Sequence, residues 1–413
     1  MKPSKHNRRK FLSTLSAGTA GGLLINTLSP LTTTAQAEPF LPANEFLFEP
    51  GLVYLNTGTL GPCRREVIDQ TKKAWEELET LPLKYYGKWG AESLAEKTRI
   101  TAARFFNCDV SEIIITNSTT NGMNSIAQGL RLKPGDHIIA TDQEHGGGIL
   151  CWEYYQKYHG VKVDIVTIPP GENNAAAIVN RISDRITKET KLNSISHVFS
   201  STGLRVPVAE ISSLARSKGI LCIVDGAQAA GAIHVDVKKL GCHAYATSGH
   251  KWLMGPKGTG ILYLSKEAQD IIRPMQFEES YNTYVDSNGV VNSPGILGLG
   301  KAIEYIESIG ITKIEEHNLS LRNRLYKRLS GVKNLSIVSP AAGPLASPML
   351  ACLLPDSIEK VAFNRMLYEK HKLSIRATHK QWFNGIRLSC HIFNTEKEVD
   401  FAADVVRKEL EKK

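Results

Sequence analysis

Four short apolar runs in this chain each end on residues able to do chemistry. EIIIT (112–116) runs into Asn117-Ser118-Thr119-Thr120-Asn121-Gly122, a small hydroxyl-rich turn. HIIAT (137–141) leads to Asp142-Gln143-Glu144-His145. ILCIV (220–224) meets Asp225, with Gln228 three residues on, and AYATS (244–248) ends at Ser248 before Gly249-His250-Lys251. A hydroxyl turn that opens a helix presents free backbone N–H groups to a phosphate. A buried acid can face a cationic ring, and a lysine that sheds its proton can attack a carbonyl carbon. Taken singly, each also has an ordinary structural explanation. Ser, Thr and Asn cap helices, a lone histidine fills cores, an acid caps a helix or binds a metal, and a lysine sits in solvent.

The elements that must position these residues follow from periodicity. A helix-like stretch runs to Leu130 after EIIIT, and another passes through CWEYYQKYH before VKVDIVTI (161–168). A third ends near Arg185 ahead of KLNSISHVF (191–199), and a fourth opens at Pro207 and stops at Lys218-Gly219. GILYL (260–264) follows AYATS. Strands alternating with helices predict right-handed crossovers and a largely parallel sheet buried on both faces, with ligands at the carboxyl ends of its strands. One long amphipathic helix is expected from about Leu297 to Leu329. Beyond it, LSIVS, MLACLL, LSIRAT and GIRLSCHI with two helices predict a smaller α+β unit. The expected division is 38–299 for an N-terminal segment and the large domain, and 300–413 for the small one.

The first 37 residues read as an address. Lys2, Lys5, Arg8, Arg9 and Lys10 precede a weakly apolar stretch rich in Ala, Gly, Ser and Thr, and Ala35-Gln36-Ala37 is a small-x-small cleavage signal. NRRKFL (7–12) resembles a twin-arginine export signal, which implies the twin-arginine machinery as a partner and an exported or periplasmic mature protein. Glycines and hydroxyls dilute the stretch too much for stable membrane insertion. The net charge of +9 is largely this leader: without it, 45 Lys and Arg face 41 Asp and Glu. That balance, with no interleaved basic and aromatic patches, argues against nucleic acid. The seven cysteines are scattered, with no C-x-x-C and no zinc spacing, and read as core thiols.

A phosphate-like turn, a histidine, an acid and a lysine converging on one sheet edge, without a GxGxxG or Walker turn, suggest pyridoxal 5′-phosphate. TSGHKWLMGPKGTGILYL (247–264) and VDGAQAAG (224–231) resemble the lysine and aspartate motifs of the class V aminotransferase family of fold-type I pyridoxal-phosphate enzymes. The similarity spans nearly all the mature chain. YLNTGTLGP (54–62), SGHKW and GIRLSCHIFNT (385–395) look most like the isopenicillin N epimerase branch. The motifs are specific for cofactor and fold and poorly specific for reaction.

The resemblance implies a large, mainly parallel-sheet domain with helices on both faces, a small C-terminal α+β domain and a homodimer. It makes Lys251 the Schiff-base lysine and, once freed, the acid or base at Cα. Lys257 becomes a structural lysine of the glycine turn. Asp225 pairs with the pyridine nitrogen, Gln228 reaches the phenolic oxygen, and His145 stacks on the ring. Thr119, Thr120, Ser248 and His250 hold the phosphate, and Ser200 lies near the cofactor. Arg387 takes the substrate carboxylate, with Asn56 on the substrate side. Two departures stand out. Gly289-Val290 replaces a Gly-Thr pair whose threonine reaches the neighbouring subunit's phosphate, so that either Asn292 or Ser293 substitutes or the contact is lost. RATHKQWFNG (376–385) lacks the nucleophilic cysteine of desulfurases. The expected activity is therefore chemistry at Cα of an amino acid, by transamination, epimerisation or elimination, with a desulfurase-type lyase or a non-catalytic binding protein as alternatives.

Overall fold

The computed structural model describes residues 43–85, 93–273 and 291–412. The leader and Gly289-Val290 lie outside the described residues. In chain order the elements are β1 (Val53–Tyr54), α1 (Arg65–Thr80), α2 (Leu94–Phe106), β2 (Ile113–Thr116), α3 (Thr119–Gly129), β3 (His137–Thr141), α4 (Gly146–His159), β4 (Lys162–Val166), α5 (Ala175–Ser183), β5 (Thr190–Ser196), α6 (Val208–Ser217), β6 (Leu221–Asp225), α7 (Val237–Leu240), β7 (Ala244–Ser248), β8 (Gly260–Leu264) and α8 (Lys266–Gln269). There follow α9 (Ser293–Ile309), α10 (Ile311–Leu329), β9 (Ser336–Ile337), β10 (Met349–Leu353), α11 (Lys360–His371), β11 (Leu373–Ser374), β12 (Arg376–Ala377), β13 (Gly385–Ser389) and α12 (Glu396–Glu411).

Seven strands form one sheet in the order β2-β8-β7-β6-β5-β3-β4. Only β8 runs against its neighbours, so the sheet is mainly parallel, as expected. Side chains alternate between its faces. Ile139, Ile195, Val224 and Tyr245 join the core that includes Ile303 and Ile306 of α9 and Val208 and Ile211 of α6. Ile138, Leu192, Ile223 and Ala246 join the core that includes Met123 and Ile126 of α3 and Ile149 and Trp152 of α4. Helices on both faces explain why β5, β6 and β7 are buried along almost their whole length, while β4 at the edge is half exposed. Because the strands bearing the motifs are parallel, their carboxyl ends open on one side of the sheet.

Four of the remaining strands form an antiparallel sheet, β12-β13-β10-β9, with a separate core that includes α10, α11 and α12 side chains such as Leu325, Leu367 and Val406, while β1 pairs in parallel with β11. Two sequence expectations need correction here. The helix expected over 297–329 is two helices, because Gly310 takes φ +94°, a conformation open to glycine that no helix interior accepts. LSIRAT is two short strands, since its pairing partner changes at buried Ile375. Leu373 and Ser374 lie beside Val53 and Tyr54 of β1, whereas Arg376 and Ala377 lie beside Arg387 and Ile386 of β13. Helix α9 runs unbroken across residues 299 and 300.

Candidate active site

Each candidate side chain reaches the carboxyl side of the sheet by its own local device. Ser118, extended at φ −176°, caps α3 by accepting the Asn121 N–H, which leaves the first turn of the helix facing outward from β2. Thr119 is fixed to the neighbouring strand end. Its N–H donates to Ser248 Oγ at 3.0 Å, and the two hydroxyls are 2.8 Å apart. Asp225 ends β6, buried, with one carboxylate oxygen accepting the Ala227 N–H at 2.9 Å. The opening of α4 lies close to the other carboxylate oxygen: a Cβ on Gly148 would stand 2.6 Å from it, so glycine permits the approach.

His145 is the N-cap of α4, and its Nδ1 accepts the Gly147 N–H at 3.0 Å. That bond places the ring's own proton on Nε2. Burial, then the charges of Lys251, Arg387 and Arg376, push His145 down to about 4, so the imidazole is neutral at physiological pH. Lys251 follows β7 in a turn held from outside: Gly61 N–H donates to His250 O at 2.7 Å. Burial lowers Lys251 to about 8, against the opposing pull of Asp225 and with help from Arg387 and Arg376. Lys257, six residues on, donates to Gly61 O at 3.0 Å and lines a different cavity with Cys63 and Trp75.

A Cβ on Gly61 would collide with the Lys251 carbonyl oxygen. Gly61→Ala is therefore expected to force the Lys251 turn away from the sheet and to destabilise the protein by about 2–4 kcal/mol. A urea melt of the variant, read by circular dichroism, checks this. A midpoint equal to wild type would show that the turn is not held there.

Thr119, Thr120, His145, Ser200, Asp225, Gln228, Ser248, His250, Lys251 and Arg387 all line one cavity of about 240 Å³. Asn56 does not: its Oδ1 accepts the Thr59 hydroxyl at 2.7 Å, and Thr59 with Gly58 forms the wall instead. Gln228 is held on both sides, accepting from Trp252 Nε1 and donating to Gly58 O, each at 2.8 Å. Asn292 caps α9 through the Gly295 N–H. A family model described as aminotransferase class-V matches residues 53–401. The chain belongs to the class V aminotransferase family. It is 26% identical to isopenicillin N epimerase of Streptomyces clavuligerus, over 87% of this chain and 95% of that protein. It is 31% identical to a probable cysteine desulfurase of Pyrococcus abyssi, over 74% and 80%. A solved mutant of C-DES, with glycine covalently linked to its PLP cofactor, shares the fold at a TM-score of 0.78 and 22% identity, covering 87% of this chain and 97% of that one.

This class V chain also brings to the cavity residues that its strand ends do not announce: Gly58, Thr59, Arg376, Thr378, His379 and Trp382. Arg387, on β13, is buried, and its Nη1 donates to both Ser200 O and Ser200 Oγ at 2.7 Å. Burial, then Arg376, lower it to about 9. Behind the cavity, the buried Glu144 carboxyl accepts from Thr141 Oγ1 at 2.7 Å and Ser196 Oγ at 2.5 Å. Burial raises it to about 7. A glutamate next to the motif histidine gave no sequence signal of this; only its burial does. No described lining residue is a cysteine. Cys390 is fully buried, and burial pushes it to about 12.

Proposed function

We propose that this chain is a pyridoxal-phosphate enzyme acting at Cα of an amino acid, of the epimerase-like branch of class V. The observation that carries the reading is one cavity holding a depressed lysine, a buried carboxylate, a helix N-terminus and a carboxylate-binding arginine. The residues fit the cofactor at three points. The α3 N-terminus with Thr119, Thr120 and Ser248 suits a phosphate, and beside it His250 Nδ1 is buried with no partner among the described residues. Asp225, deep in the cavity, suits a cationic ring nitrogen. Lys251 lines the same cavity, with an amine that burial deprotonates readily.

Bound there, pyridoxal phosphate supplies an electron sink for the charge left when Cα loses a proton. The chain supplies the rest. Asp225 holds a proton on the ring nitrogen. His145, kept neutral, covers a ring face without adding charge. Arg387 orients the substrate carboxylate, fixed in its own position by Ser200. Lys251 takes the Cα proton and returns it, and the position to which a proton returns separates the outcomes. Epimerisation would need a proton delivered to the opposite face of Cα by a donor that reaches that face, rather than by simple return from Lys251, and transamination would need it delivered away from Cα. The absence of a cysteine among the described lining residues weighs against desulfuration. Export by the twin-arginine route and a homodimer belong to the same proposal, resting on the leader sequence and on the family resemblance.

The test is a panel of L- and D-amino acids incubated with holoenzyme, read for cofactor absorbance, keto acid, sulfide and loss of optical activity. Racemisation without keto acid supports the epimerase branch. Keto acid with a pyridoxamine spectrum redirects the reading to transamination, and sulfide redirects it to lyase chemistry. A protein that takes up no cofactor refutes it.

A further inference from the structure

Arg376 and Arg387 stand directly opposite one another on adjacent antiparallel strands, β12 and β13. Facing residues in such a pair have Cα atoms about 5 Å apart and side chains on the same face, and like charges in that position repel. Both guanidinium groups line the cavity. Neither makes an ion pair with a described acid. Asp225 is the one carboxylate among the described lining residues, against Lys251, Arg376 and Arg387. An arrangement this unfavourable persists where an anion is to be bound.

One carboxylate does not use it up. Arg387 spends Nη1 on Ser200 and turns Nη2 toward Thr59 Oγ1 at a long 3.3 Å, while its buried Nε has no partner among the described residues. The Nε–Nη2 edge is the fork that grips a single carboxylate bidentately. Arg376 makes no side-chain hydrogen bond with any described residue, so its donors are uncommitted among the described residues. Trp382 lines the same cavity, and its buried Nε1 has no acceptor among the described residues. The lining therefore holds a second set of anion donors beside the first.

We propose that Arg376, with the indole N–H of Trp382, binds a second acidic group on the substrate side chain, so that the enzyme selects dicarboxylic amino acids. This rests on the reading that Arg387 takes the α-carboxylate. The phosphate is assigned elsewhere, at the α3 end of the cavity, and does not compete for this wall.

Calorimetric titration of the holoenzyme with glutarate, glutaramate and valerate tests the assignment without turnover. Glutarate is expected to bind about 10- to 100-fold more tightly than the other two. Arg376→Gln is expected to remove that preference and leave valerate binding unchanged. Equal affinity for the three ligands overturns the proposal. So does an Arg376→Gln variant that loses glutarate and valerate binding alike, since the two arginines would then share one carboxylate. Should that variant not fold, the wild-type comparison of glutarate with its neutral-ended monoamide decides alone. Cofactor absorbance with L- and D-glutamate and L- and D-norvaline separates the two readings. A band shifted by both amino acids equally removes only this assignment, whereas a Lys251-dependent band that no amino acid shifts removes the proposed function as well.

Discussion

Lys251→Ala protein is expected to lose the visible absorption of bound cofactor and to lose catalysis by on the order of 10⁴-fold or more, with its circular dichroism unchanged. The size of the effect follows from the amine's environment. An ordinary lysine, near 10.4, is about 0.4% neutral at pH 8. Lys251, lowered to about 8 chiefly by burial, is about half neutral there. No other lysine lines the cavity among the described residues, and Lys257 is engaged with Gly61 O. The same depression fixes two further signs. In apoprotein, the labelling of Lys251 by an amine-directed reagent should rise through about pH 8, well below the bulk of the lysines. The folded state also binds fewer protons than the unfolded one between about pH 8 and the ordinary lysine value, so this group makes stability rise with pH across that window. Below it, a charged Lys251 is a cost. Apo Lys251→Ala should therefore melt no lower than apo wild type at neutral pH. Peptide mapping of the labelled protein across pH checks the first sign and calorimetric melts the second. A labelling profile centred near 10.4, or a variant that retains the absorption band, would remove Lys251 from its role.

What the sequence made legible is what lies along it. Apolar runs ending in Asp225, in Ser248 with Lys251, and before Thr119 and His145 could be placed at strand ends because each strand is local. A parallel sheet then carries all four to one side. Arg376, His379 and Trp382 were not legible, because their position depends on a pairing between β12 and β13 that no local pattern dictates. LSIRAT reads as a single strand, and only the presence of β1 on one side and β13 on the other divides it at Ile375. The same long-range pairing explains Asn56. The segment after β1 reaches the cavity through Gly58 and Thr59, but which of its residues turns inward depends on how Asn56 bonds to Thr59. Gly310 was visible in the sequence, yet glycine within a helix is tolerated often enough that the break needed its observed φ. The burial of Glu144 was not legible either, since an Asp-Gln-Glu-His run looks like a solvated turn.

Asp225→Asn is expected to keep the fold and the bound cofactor but to lower turnover by about 10²- to 10⁴-fold. Asparagine matches the carboxylate in size and keeps an oxygen for the Ala227 N–H, so the turn after β6 survives. What it loses is charge. Burial raises the pKa of Asp225, while the Ala227 N–H and Lys251 work against that shift. The attraction is mutual, since Asp225 raises the pKa of Lys251. Removing it leaves burial and the two arginines unopposed, and the Lys251 amine should deprotonate at a lower pH than in wild type. The pH profile of Lys251 labelling in apoprotein should accordingly move toward acid, a shift that a merely structural cap would not cause. The two measurements are independent. Lost turnover with an unmoved labelling profile would mean that Asp225 acts without sensing Lys251. Full turnover in Asp225→Asn would reduce the residue to a helix-turn cap and remove the acid from the proposed site.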